Sequence, residues 1–197
     1  MTKSRTLNDF TTEELGKLFP IEIVPYNEQW DSLYIDEKTR IENTLTNEIA
    51  LRIKHFGSTA VRGLSAKPVI DILVEIPPLT EILKNEIIKA METIGYNFIW
   101  RTDDEAPYMN FVKGYTPEGF EENVYHVHIG DKTHSLWDRI HFRDYLRENP
   151  DVAKEYENLK IELAKKHKYN RETYTQAKTE FITRITKMAK QKYEKDI

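Results

Sequence analysis

Two hydrophobic periods take turns along this chain. Where every third or fourth position is apolar, one face of a helix is expected; continuous or alternating apolar runs predict strands. Residues 12–18 carry the helical period behind Thr11-Thr12, with acids following. Residues 21–24 read as a short strand stopped by Pro25. Asn27 caps a predicted helix through about residue 45, its stripe made by Trp30, Leu33, Tyr34, Ile41 and Leu45. A strand is expected over 50–56. Another over 69–76 is apolar at nearly every position and ends at Pro77-Pro78, as a strand buried on both faces would. Thr80 caps an amphipathic helix carrying Ile82, Leu83, Ile87, Met91 and Ile94, stopped by Gly95. Strand-like runs follow at 96–101, 108–113 and 123–129. Their separators are turn-like: Asp103-Asp104-Glu105-Ala106-Pro107 and Thr116-Pro117-Glu118-Gly119. The helical period then holds over 134–148, 150–168 and 171–192, with breaks at Asn149-Pro150 and Tyr169-Asn170.

The order β, α, β, β, α, β, β, β and then helices predicts an α+β fold. It has a mixed sheet, helices on one face and a C-terminal helical extension. Residues 1–20 read as an N-terminal helical appendage. Residues 21–197 read as a single domain, with its core over about 21–130 and a helical part over about 131–192.

Composition narrows the function classes. Hydrophobic residues are 39% and charged residues 31%, enough apolar mass for an ordered core. There is no cysteine, so disulfides and thiolate metal sites are excluded. No apolar run approaches the ~18 residues of a membrane span, and the first residues lack the apolar core of a signal peptide. A cytoplasmic protein without a membrane partner is expected. The net charge of −4 argues against broad nucleic-acid binding. From Lys160 onward there are 11 Lys and Arg against 5 Asp and Glu. That excess is expected to form a solvated helix face rather than a surface for RNA or an acidic partner.

Candidate chemistry gathers around His55 to Ile76. A Gly57-Ser58-Thr59 turn there leads to the apolar strand carrying Asp71, with Lys67 between them. A Gly-Ser turn brings backbone N–H groups close to an anion. A carboxylate on an apolar strand needs a cation, a base or a polar partner, and here Lys67 or an Arg could equally satisfy it. His126 and His128 share one strand face at a spacing that suits a metal, and equally suits a hydrogen-bonded pair across the sheet. Adding Asp71 makes two His and one acid, a common divalent-metal set. His55 is a further candidate; His134, His141 and His167 receive no role. Arg139, Arg143 and Arg147 stand four apart on one helix, and Arg143 has the densest aromatic surroundings and is assigned to phosphate. Lys178 lies with Tyr174 and Phe181 on one predicted helix face, where it snorkels or reaches the site.

With these residues assembled the chain resembles the GrpB family, a bacterial group with a nucleotidyltransferase-like fold. The matching pieces are Val24-Pro25-Tyr26 with Trp30, His55 to Val61, Gly63-Leu64, Ala66-Lys67-Pro68 and Ile70-Asp71-Ile72. Further on come His126-Val127-His128, Phe142 to Arg147, Tyr156 with Leu159-Lys160, and Tyr174 with Lys178. Arg62 stands where the family usually has Pro. The resemblance implies the wider superfamily's pattern: a Gly-Ser turn holding a phosphate chain, then an acid pair holding two divalent ions. Ser58 and Asp71 fit the spacing, but the second acid is replaced by Leu73.

The expectation is a nucleotidyltransferase-like protein that binds a nucleotide or another phosphorylated small molecule. Gly57, Ser58, Thr59, Lys67, Arg143 and Lys178 would hold phosphate. Asp71, His126 and His128 would be catalytic and would bind Mg²⁺ or Mn²⁺. Two alternatives stand beside it: a non-catalytic accessory module, in keeping with family members fused to dephospho-CoA kinase, and a single-metal hydrolase built on the two histidines and Asp71.

Overall fold

A computed structural model describes residues 5–102 and 106–193. The turn residues Asp103, Asp104 and Glu105 lie outside the described residues, as do 1–4 and 194–197. Five strands make one mixed sheet: β1 (Arg52–Phe56), β2 (Val69–Ile76), β3 (Asn97–Arg101), β4 (Tyr108–Thr116) and β5 (Gly119–Asp131). Their spatial order is β1-β2-β5-β4-β3. The pair β2–β5 is parallel and the others are antiparallel. The helices are α1 (Thr12–Leu18), α2 (Gln29–Ile49), α3 (Glu81–Thr93), α4 (Asp138–Glu148), α5 (Pro150–Lys166), α6 (Arg171–Gln176) and α7 (Thr179–Tyr193). The fold is α+β, with the C-terminal helices forming the expected extension.

Strand alternation divides the work of β2 and β5. Ile70, Ile72, Val74 and Ile76 of β2 and Tyr125, Val127 and Ile129 of β5 point to one face. There they pack with Trp30, Ile41 and Leu45 of α2 and Ile87 and Met91 of α3. This is the main core. Asp71 and Leu73 of β2, with His126 and His128 of β5, point to the other face. Leu73 packs there with Phe56, Tyr108 and Leu136, against Trp137 and Ile140 at the start of α4. A third cluster joins α4, α5 and α7 to the loop after β1, through Leu146, Tyr156, Phe181 and Ile185 on Val61 and Leu64. The extension therefore lies over the sheet face that carries the polar residues.

Three local differences from the sequence pattern have physical causes. Residues 21–24 make no strand among the described residues; their only ladder contact is the bridge of Val24 with Ala66. Four residues before a proline, one of them Glu22, are too few to build a ladder. Helix α2 keeps regular geometry to Leu45, then breaks at Thr46, whose φ is +62°. The helical run over 171–192 divides into α6 and α7 around Ala177-Lys178. The N-terminal segment is docked: Phe19 packs on Tyr115 and Phe120, and a Cβ added to Gly16 would meet the Tyr169 carbonyl oxygen at 2.0 Å.

Candidate functional site

The parallel register sets Asp71 beside His126 and Leu73 beside His128. All three polar side chains lie on the face beneath α4. His126 Nδ1 is 3.6 Å and His128 Nε2 4.0 Å from Asp71 Oδ1. Gly57 turns the chain over this carboxylate with φ +73°; a Cβ there would meet Asp71 Oδ2 at 2.4 Å. Glycine is required twice, by the left-handed backbone and by the close approach. Ser58, next to it, is hydrogen-bonded to Tyr156 of α5.

Lys67 and Lys178 reach the same place from opposite ends of the domain. They flank the buried ring of Tyr174, with Nζ 5.5 Å and 4.2 Å from its centroid. Among the described residues neither ammonium donates a hydrogen bond or closes an ion pair. Burial lowers the Lys178 pKa to about 8 and is also the main cause of a lowered Lys67, reinforced by Arg171 and Lys178. Burial raises Asp71, opposed by the positive Lys67, Arg139 and Lys178. Lys160, buried on α5, adds a third ammonium to the neighbourhood, brought down to about 7 by burial and by Lys178. Unlike the other two it has an acceptor, the Ser65 carbonyl at 2.5 Å.

Two expected phosphate contacts are engaged elsewhere. Thr59 is 1% exposed; its hydroxyl donates to the Val69 carbonyl and meets His55 Nε2. His55 itself stacks on Tyr34, so it is structural. Arg143 donates to the His55 carbonyl at 2.6 Å and pairs with Asp144, latching α4 to β1. Arg147 likewise donates to the Ala60 carbonyl. Arg62 lines a groove of about 450 Å³ with Tyr26, Asp31, Arg147 and Lys154, which Asp71 and the two histidines do not border.

Arg139 and Arg171 are the site residues that periodicity misses. Arg139 faces His128 Nδ1 at 3.1 Å. Arg171 donates to the Tyr115 hydroxyl oxygen at 3.1 Å, and that hydroxyl is 2.7 Å from His126 Nε2. The position of Arg139 on the stripe with Arg143 was the only sequence signal for it. Arg171, just past the Asn170 cap, had none.

For a divalent ion, the ligand atoms of Asp71, His126 and His128 have suitable types and lie within 4.8 Å of one another. The ring proton of His128 does not fit. Arginine only donates, so His128 Nδ1 must accept, and the ring proton of the neutral imidazole sits on Nε2. That is the atom facing Asp71, and a metal would need its lone pair. Burial keeps both imidazoles neutral, with His126 held at about 3 and His128 well below the ordinary range.

The model of the GrpB protein family matches residues 20–188. The chain belongs to the GrpB family. A solved relative, the conserved protein GrpB from Enterococcus faecalis, is 33% identical with a TM-score of 0.74, covering 87% of this chain and 99% of that one. The glutamate-rich protein GrpB of Alkalihalophilus pseudofirmus is 36% identical over 83% of this chain and 92% of its own length. A Pseudomonas aeruginosa relative is 39% identical over 84% of this chain, which spans 66% of that protein's length. The GrpB membership that the motifs implied is thus shown. Among the described residues of this GrpB protein, no helix is long and apolar enough to cross a membrane.

Proposed function

We propose that this GrpB protein binds a nucleotide or another phosphorylated small molecule at the face between Asp71 and α6. The observation that carries this is the pair of ammonium groups, Lys67 and Lys178, half-buried beside one another without a protein acceptor. Bringing two like charges together out of water is costly unless an anion joins them. A phosphate offers several acceptor oxygens to such a pair of donors. The nucleotidyltransferase-like character implied by the family motifs gives that anion a natural identity.

An accessory, non-catalytic role is the second reading, and Leu73 favours it. The position that would carry the second acid is 0% exposed and packed in an apolar cluster.

Titration calorimetry with ATP tests the proposal. Wild type is expected to bind, and Lys67→Met and Lys178→Met each to weaken binding by about ten- to a hundredfold. Thermal melting of both variants without ligand separates loss of the anion site from loss of the fold. No binding by wild type, or equal binding by the variants, would sink it.

A further inference from the structure

Two rows of polar groups, each headed by an arginine, lead toward Asp71. One row starts at Arg171, whose N–H goes to the Tyr115 oxygen at 3.1 Å. The Tyr115 oxygen also lies 2.7 Å from His126 Nε2, to which it can donate or from which it can accept, while His126 Nδ1 faces Asp71 at 3.6 Å. The other row starts at Arg139, donates to His128 Nδ1, and leaves a proton on Nε2, which also faces Asp71. Arg139 is held in that pose by the Tyr108 hydroxyl and by the rings of Phe56 and Tyr108. Both rows begin at a side chain that only donates and lead toward the same carboxylate, and the Arg139 row sets the proton on His128 Nε2. Metal-bound histidines show the reverse polarity: the nitrogen away from the ion donates outward, to a carboxylate or carbonyl.

We propose that this site works without a divalent ion: Arg139 fixes the His128 imidazole with N–H toward Asp71, and Lys67, Lys178 and Arg171 supply the positive charge that ions would give to the phosphates of a diphosphate-bearing ligand. The inference rests on the phosphate reading above and adds its cofactor independence. Asp71 balances part of the cationic cluster. The ligand is recognised by its charge and its phosphate oxygens, and a magnesium complex of it gains nothing.

Two measurements on the full chain test this. Inorganic pyrophosphate is titrated in EDTA and again with Mn²⁺ at matched free pyrophosphate. Equal affinity within about twofold is expected. Tenfold tighter binding with Mn²⁺ would overturn metal independence while leaving phosphate binding intact. Absence of binding in both conditions would remove the phosphate reading and this inference together. In the second measurement, nitrogen NMR of ¹⁵N-histidine-labelled protein reports the tautomers. His128 protonated on Nε2 supports the proposal; its proton on Nδ1 overturns it.

Discussion

At the scale of single residues, Gly57 carries the sharpest constraint. Its φ of +73° costs a side-chain-bearing residue about 1–2 kcal/mol, and its Cβ would sit 2.4 Å from Asp71 Oδ2. Gly57→Ala is expected to lower unfolding free energy by about 2 kcal/mol or more in urea titration. Adding Asp71→Gly should recover part of the loss, and an unchanged midpoint for Gly57→Ala would refute the close approach. Gly57, Ser58, Lys67, Asp71 and the two histidines were legible in the sequence because short-range spacing and strand alternation decide them. Arg143 shows the limit of such spacing. Aromatic neighbours signal that an arginine is partly buried, but not whether it serves a ligand or a backbone carbonyl. Thr59 fails for a related reason: a hydroxyl in a polar turn has local acceptors, and here Val69 takes it.

At the scale of elements, α2 is tied to the sheet by a buried charge as well as by its apolar stripe. Glu37, 3% exposed, accepts from the Tyr96 hydroxyl at 3.0 Å and from Lys113 of β4 at 2.5 Å. Lys113→Met leaves that carboxylate only the Tyr96 hydroxyl and Arg40 at 3.9 Å, and should destabilise the protein by about 3 kcal/mol, read by chemical denaturation. Combining it with Glu37→Met should cost far less; a near-neutral single variant would show the pair to be dispensable. Periodicity located most helices and strands because burial on one face leaves a regular trace. It could not separate α6 from α7, since Tyr174, Phe181 and Ile185 stay buried across the break. Nor could it tell the lone bridge at Val24 from a strand, because a bridge needs only one extended residue to pair.

For the molecule as a whole, the buried histidines set the response to acid. Burial first, then the nearby Arg147 and Arg143, hold His55 at about 3 rather than 6.5; burial and Lys67 do the same for His126. The unfolded chain therefore binds more protons between these values, so stability falls as pH drops from about 6.5 toward 3. Denaturation midpoints measured across that range should decline, and less steeply for His55→Gln if it folds. A flat profile would mean that the imidazoles are not buried as described. The break at Ala177-Lys178 has a consequence for biosynthesis. Lys67 and Lys178 stand 111 positions apart in the chain, yet share the ring of Tyr174. While the polypeptide is still being made, the sheet can be complete and the cationic pocket still half built. On the proposed reading, an anion can be captured only after α6 and Lys178 have joined a sheet whose β2 was made long before.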